Sequence, residues 1–420
     1  MKATSHALPP LTAALALRVF LPFALGYFLS YLYRVVNAVI APDLIADMGL
    51  DASTLGLLTA VYFLTFAATQ LPLGILLDHY GPRRIEAGLL LFASVGAALF
   101  AIAPNTSTLI IGRGLIGLGV SACLMAAFKA YVMWFPKERL TLVNGFQMMS
   151  GGLGALAATQ PVEMMLGFTD WRGVFYVLAA LTLLSAVLVY AIVPEHGGGR
   201  HPDAKLRDAW AGVTVIFTSA QFWRVAPLCV LSQASFISIQ GLWSGPWLHD
   251  VGGVERADVA DYLFWVAAAM VAGFLGWGVI AERLQRLFGV RPMIVAAIGM
   301  CGFMAVQALI VLEVPTGDPV VILGTWMAFG FFATSGILPY AALSQAFPIQ
   351  LAGRVNTGLN LLVFVLAFAS QWAIGAVIDL WPQTADGGYA AEGYRVAFTV
   401  ILILQISAFS WYMARRSIHI

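Results

Sequence analysis

Apolar runs of about 20 residues, each closed by a short polar or Pro/Gly-bearing break, recur along the chain from residue 14 onward. They predict about twelve helical spans, near 14–40, 53–76, 86–103, 108–132, 143–167, 172–193, 222–247, 258–280, 292–313, 319–342, 355–379 and 394–414. Each is long enough to cross roughly 30 Å of hydrocarbon as a helix. The longest polar stretch, 195–221 (EHGGGRHPDAKLRDAWAGVTVIFTSAQ), reads as a linker with room for a surface helix. It divides the chain into residues 1–194 and residues 222–420, six spans in each.

Composition sharpens this pattern into a class. Hydrophobic residues make up 60% of the 420 and charged residues 10%; the mean hydropathy is +0.87. A soluble domain carries about 25% charged residues, so the expected fold is all-α, polytopic and embedded in lipid. The 41 glycines suit close helix–helix approach there. Cys123, Cys229 and Cys301 are odd in number and sit inside apolar runs, where thiols pack rather than bridge or bind metal. No cleavable leader is expected, the run from residue 14 being itself a span. A net charge of +1 with no basic patch excludes nucleic acid as a partner.

Charge placement orients the chain. With the N-terminus cytoplasmic, sixteen of the twenty-two Lys and Arg fall on the inner side, among them Arg83, Arg84, Lys137, Arg139, Arg283 and Arg291. Arg172, Arg256 and Arg395 fall outside, beside the acids Asp43, Asp47, Asp51, Asp250, Glu255 and Asp258. Both termini are then cytoplasmic, as expected for a bacterial inner-membrane protein. Three cations, Arg34, Arg113 and Lys129, lie within spans.

Two short phrases occur once in each half. FPKERLTLVNG (135–145) and FPIQLAGRVNTG (347–358) share Phe-Pro and Val-Asn at the same spacing. GILLDHYGPRR (74–84) offers Gly74, Asp78, Gly81, Arg83 and Arg84; GVIAERLQRLFGVRP (278–292) offers Gly278, Glu282, Arg283, Gly289 and Arg291. Two matches in the same order make the halves an internal repeat, a common plan of carriers.

The first of these loops resembles the signature that the major facilitator superfamily carries between its second and third helices, and the resemblance extends over nearly the whole chain. It implies two pseudo-symmetric six-helix bundles, with helix two beside helix eleven and helix five beside helix eight across a central cleft. Asn144 and Asn356 then stand where helices five and eleven begin. Asn is a favoured N-cap, and a helix start carries about half a positive charge. Asp78 would face the helix-eleven start at Asn356 and Glu282 that of helix five at Asn144, latching the cytoplasmic side when the protein opens outward. A plainer reading leaves Phe-Pro as a helix stop and Asn as a cap, with no switching.

A buried arginine costs at least about 2.5–3.5 kcal/mol on insertion scales, so it needs an internal partner or a wet cavity. The segment YFLSYLYRVVNAVIAPDL (27–44) places Tyr27, Ser30, Tyr31 and Arg34 on one helical face, with Asn37 nearby. A guanidinium between phenols suits a planar carboxylate or a phosphate. The stretch is similar to the first helix of the anion:cation symporter and organophosphate antiporter branches, whose Arg at this point meets an anionic substrate. Those symporters often carry Asp before the Arg; Tyr33 stands here. Arg113, in GRGLIGLG (112–119), matches the fourth-helix Arg of the superfamily, as a structural organiser or a second substrate charge. The Glu that follows it by seven residues in the symporter pattern is Val120 here. Lys129 is placed to snorkel to the cytoplasmic interface.

The second half offers polarity without charge. Gln233, Gln240, Trp243, Ser244 and Trp247 share a face of span seven, bent at Gly241 and Pro246, and span eleven adds Asn360 and Gln371. Trp247 reads equally as interface anchor and pocket wall. Carboxylates are scarce: Glu163, Asp261 and Asp379 sit near outer ends and Glu86 near the inner surface. Span five has Gln160-Pro161 where the antiporter signature has Gly-Pro, against a drug-exporter reading.

These features point to a secondary active carrier of a small organic anion, carboxylate-like, working by alternating access with a proton or cation as coupling ion. Arg34, Tyr27, Tyr31, Asn37, Arg113, Gln233, Gln240, Trp243, Asn360 and Gln371 are the candidate substrate residues. A second reading is export of amphiphilic compounds through an aromatic pocket of Trp243, Trp247, Tyr262 and Trp265, and a third is a sensor that moves nothing. No metal cluster, nucleophile elbow or phosphate loop supports an enzyme, no cofactor is expected, and the expected unit is a monomer in the bilayer.

Overall fold

The computed structural model describes residues 12–195, 214–347, 349–384 and 387–414. Most of the linker lies outside them, as do Lys2, Arg200, Lys205, Arg207, Pro348, Arg415 and Arg416. Among the described residues the chain forms long helices joined by short turns. The first six are α1 (Ala13–Val35, continued by Asn37–Met48), α2 (Ala52–Tyr80), α3 (Pro82–Ala101), α4 (Thr106–Trp134), α5 (Lys137–Ala157, continued by Gln160–Leu166) and α6 (Trp171–Ile192). The second half repeats the plan: α7 (Ala220–Asp250), α8 (Arg256–Phe288), α9 (Pro292–Val311), α10 (Pro319–Gln345), α11 (Ile349–Ile378) and α12 (Ala391–Ala414). Eleven are long and apolar enough to cross a membrane. The other is α5, whose opening KERLTLVNGFQ dilutes its hydropathy, although it packs alongside α1.

Local chemistry sets the helix ends. Asp51, Asn105, Asp170 and Ser219 cap α2, α4, α6 and α7 by accepting backbone N–H groups of the first turn. The matched glycines Gly81 and Gly289 stand at the same turn in each half with φ of 83° and 66°, a backbone that an L side chain resists. Glycine also brings helices into contact: a Cβ on Gly96 would lie 2.7 Å from the Gly112 carbonyl, and one on Gly112 would lie 2.8 Å from that of Gly96. The α3–α4 seam inside GRGLIGLG is therefore backbone against backbone.

The paired phrases need a correction. α5 starts at Lys137 and α11 at Ile349, so Asn144 and Asn356 lie two turns inside their helices and cap neither. Pro136 is the residue before α5; with no N–H to satisfy, proline suits a helix start. Asn356 accepts a hydrogen bond from Ser344 Oγ at 2.6 Å. Asn144 Oδ1 is buried without a partner. Cys123 and Cys229 pack inside as expected, but Cys301 is exposed on the outside of its bundle.

The bundles meet along two seams, α2 with α11 and α5 with α8. At the end away from the linker the contact is tight. A Cβ on Gly375 would collide with the carbonyl of Ala52, and one on Gly245 with that of Ala38. Arg256 pairs with Asp43 at 2.5 Å across the same seam. Asp379 accepts the N–H groups of Ala52 at 3.0 Å and Ser53 at 2.6 Å. Phe364 packs against Phe66 at mid-height, its ring tilted by 44° and 4.3 Å away between ring centres. Toward the linker end the packing loosens: Gly74, Gly145 and Gly278 have nothing within 4 Å of where a Cβ would stand.

Candidate functional site

Arg34 lies at mid-height where the halves meet. It is 9% exposed, and its guanidinium rests on the rings of Tyr31 at 4.4 Å, Phe364 at 5.3 Å and Phe66 at 5.7 Å. Two of these rings come from the first half and one from the second, so the charge belongs to the seam. No carboxylate among the described residues is within ion-pair distance, and Nε has no hydrogen-bond partner. Aromatic faces return about 0.5–2 kcal/mol each to a cation, which does not replace the acceptor that Nε lacks.

The surroundings of Arg34 come from helix breaks. α7 opens into a π-turn over Ile239–Trp243, and Gly241 in that turn approaches the Arg34 carbonyl, 3.3 Å from where its Cβ would be. Turns of this type often mark functional positions. Gln240 is brought close by the turn, 6% exposed, with its Nε2 3.7 Å from Met270 Sδ. Tyr27 stands edge-on to Tyr31 at 5.2 Å, and its hydroxyl is 3.9 Å from Met148 Sδ. Asn360, one turn before Phe364, accepts from the Tyr340 hydroxyl at 2.9 Å. Arg34, Tyr27, Tyr31, Gln240 and Asn360 therefore occupy neighbouring positions on the helices that face the seam.

Four other candidates hydrogen-bond within their own bundles. Arg113 is fully buried within the first bundle, donating to the Tyr33 carbonyl at 2.7 Å and lying 5.0 Å from the Tyr62 ring centre. It ties α4 to α1. Asn37 donates to Thr59 Oγ1 at 2.9 Å and is fully buried. Gln233 donates to the Ala333 carbonyl at 3.1 Å inside the second bundle. Trp243 donates to the Gln371 carbonyl at 3.0 Å, and its ring edge would lie 3.4 Å from a Cβ on Gly56, so it plugs the sealed end of the α2–α11 seam. The Gln371 amide beside it is buried with neither atom partnered.

The aromatic quartet of the exporter reading does not assemble. Trp247 is buried against Trp326, 5.3 Å between ring centres, so it is neither interface anchor nor pocket wall. Trp265 is half exposed and rests on Phe264.

At the linker end Asp78 pairs with Lys129, so Lys129 is held by a carboxylate and does not snorkel alone. Arg83 and Arg84 reach Glu195 at 3.9 and 2.6 Å, tying the α2–α3 loop to the end of α6. Glu282 and Arg283 are exposed and form no ion pair among the described residues.

Sequence reasoning missed Glu86. It is the fifth residue of α3 and is fully buried inside the first bundle, and neither carboxyl oxygen has a hydrogen-bond partner among the described residues. One oxygen fills the space beside Gly26 of α1, and Cys123 Sγ of α4 lies 3.6 Å from where a Gly26 Cβ would be. The available signal was Gly26 itself, the one glycine in the stretch FALGYF next to Tyr27.

The sequence profile of the Major Facilitator Superfamily matches residues 23–376. A "probable sulfoacetate transporter" of Cupriavidus necator is 25% identical over 382 residues, 84% of this chain and 85% of that protein. A hexuronate transporter of Escherichia coli is 22% identical over 285 residues, 64% of this chain and 66% of its own. Among solved structures, a bacterial homologue of the human lysosomal transporter Spinster, inward-facing and unoccupied, superposes with a TM-score of 0.75 at 17% identity. That match covers 96% of this chain and 97% of the other.

Proposed function

The chain belongs to the major facilitator superfamily, and from that premise we propose that this transporter carries a small organic anion with Arg34 as its anchor. The observation that carries the reading is the guanidinium itself: buried, on the seam, cushioned by three rings and lacking a carboxylate partner among the described residues. A carboxylate or sulfonate supplies two acceptors in the plane of the guanidinium fork. Tyr31, Tyr27, Gln240 and Asn360 complete the ring of contacts. The relatives' named solutes, sulfoacetate and hexuronate, are anions of this kind.

Alternating access follows from the two ends of the seam. The positive-inside rule makes the linker end cytoplasmic, so the structure, sealed at the other end, stands open to the cytoplasm. In the opposite state Asp78 and Glu282 would approach the starts of α11 and α5, and Asp78 would leave Lys129 to do so. Without the Asp and Glu of the symporter pattern, Glu86 is the carboxyl best placed to carry a coupling proton. The amphiphile reading draws no support from the dispersed tryptophans.

The test is a thermal-shift screen of carboxylates, sulfonates and phosphates on the wild type and Arg34→Gln, followed by counterflow of the best hit in proteoliposomes. Stabilisation of the wild type alone, with counterflow, is expected. Equal stabilisation of both proteins would remove Arg34 as the anchor, and ligand binding without counterflow would make the protein a sensor.

A further inference from the structure

On the outer wall of the second bundle, at the linker end and away from the central seam, α7, α9 and α12 leave a cavity of about 590 Å³ between them. Its head is basic. Arg224 of α7 is 7% exposed, lies 5.3 Å from the Tyr412 ring centre and has a buried Nε with no partner. No ion pair joins it to a carboxylate among the described residues. Arg291, the residue before the first turn of α9, also lines the head.

Below the head the wall is apolar. Ile294, Ile298 and Cys301 follow at helical spacing along one face of α9. Ile294 is 47% and Ile298 60% exposed. At 1.5 Å per residue, Arg291 to Cys301 spans about 15 Å, the thickness of one leaflet's hydrocarbon. Trp223 and Trp411, next in sequence to the lining residues Arg224 and Tyr412, are each 40% exposed, and Trp411 Nε1 donates to the Trp223 carbonyl at 2.8 Å. Such tryptophans mark headgroup depth.

We propose that this cavity is a binding site for an anionic phospholipid, its phosphate on Arg224 and one acyl chain along Ile294, Ile298 and Cys301. The argument is charge and shape together. A buried guanidinium that lacks a protein acceptor is satisfied by a phosphate, and the groove continues from that point as a leaflet-long apolar track. Basic pockets between membrane helices hold lipid headgroups in this way. A free phosphate or the transported anion would satisfy the guanidinium but leave the track bare. The site is independent of the transport site and stands whether or not Arg34 holds the cargo.

The experiment is native mass spectrometry of the full chain in detergent, titrated with phosphatidylglycerol or phosphatidylcholine, with inorganic phosphate as competitor. The wild type should retain phosphatidylglycerol and be unaffected by millimolar phosphate; phosphatidylcholine has the same phosphate, but its choline cation meets a head lined by two arginines, so it should be held at least about ten-fold more weakly. Arg224→Gln should erase that preference. Ile298→Glu changes an exposed position and puts a carboxylate on the track, so it should cut retention of phosphatidylglycerol at least several-fold even if the arginine variant fails to fold. Equal retention of the two lipids by the wild type, displacement by inorganic phosphate, or unchanged phosphatidylglycerol retention in Ile298→Glu would overturn the assignment.

Discussion

The Asp379 carboxylate, at the end of α11, accepts the backbone N–H of Ser53 at 2.6 Å, so an acid of one bundle holds the first turn of a helix in the other. Its second oxygen takes the N–H of Ala52 at 3.0 Å. The first turn of a helix has four N–H groups without intrahelical partners. Here two of them are satisfied across the seam, and Thr54 N–H goes to Asp51 at 2.8 Å within the first bundle. An acid facing a helix start was the latch expected at the linker end; the structure makes it at the other end.

Asp379→Asn should therefore weaken closure of that end while leaving each bundle folded. Hydrogen bonds to a charged acceptor contribute about 1.5–3 kcal/mol each, and the amide retains one acceptor and no charge. A loss of about 1–2 kcal/mol shifts the open–closed equilibrium roughly 5–30-fold. Double electron–electron resonance between spin labels at Ala46 and Gln383, which line a cavity of about 510 Å³ at this end, reads the shift. Distance distributions identical to wild type would show that the capping does not hold the gate.

Gly375 tests closure by volume instead of charge. A Cβ there would strike the Ala52 carbonyl, a backbone atom that cannot rotate away. Gly375→Ala should bar the tight seam and hold the transporter open at the end away from the linker, with net transport reduced at least about ten-fold at normal expression. Gly324→Ala is the control, because it lies on α10, outside both seams, and nothing lies within 4 Å of its Cβ position. The control addresses space alone, so its counterflow should stay near the wild-type level.

How much of this was legible beforehand differs by residue. The bundle and its repeat were, because crossing lipid demands about 20 apolar residues and a duplicated loop keeps its glycines. Gly81 and Gly289 confirm the match through their positive φ. Asn144 and Asn356 misled because Asn favours caps, while the polar turns ahead of each, Lys137 to Val143 and Ile349 to Val355, read as loop and are helix. Arg34 could be chosen from one helical face, but its Phe364 neighbour could not: the two are brought together only by the meeting of the halves. The same holds for Asp379 and Ser53, which no local pattern connects.

Asp51 gives a prediction in pH. Hydrogen bonds from Thr54, side chain and backbone, and from Ser53 draw its carboxyl below its ordinary value against partial desolvation. A carboxyl lowered in the folded state stabilises above its unfolded value and loses that contribution as pH falls through the folded one. Asp51→Ala should cost about 0.5–1 kcal/mol near neutrality, the lower range for an exposed cap. Thermal unfolding in detergent should show the gap between the two proteins narrowing once pH drops below about 4. A gap that stayed constant down to acid pH would mean that the charge adds nothing to the cap.

Glu86 allows binding and coupling to be separated. Its carboxyl is sealed between α1, α3 and α4, facing Gly26 and Cys123, with Tyr131 of α4 within electrostatic range. A bare charge enclosed there costs several kcal/mol, so gain or loss of its proton is tied to a change in its surroundings, and α1 is the helix that also carries Arg34. Glu86→Gln keeps the shape of the neutral acid and removes the titration. The variant should exchange substrate in counterflow within about two-fold of wild type and lose accumulation driven by a pH gradient. Uphill uptake preserved in the variant would separate Glu86 from the coupling ion. Should the variant lack counterflow, infrared difference spectroscopy of the wild type on substrate addition decides, since a carboxylic acid C=O band that moves with substrate is required.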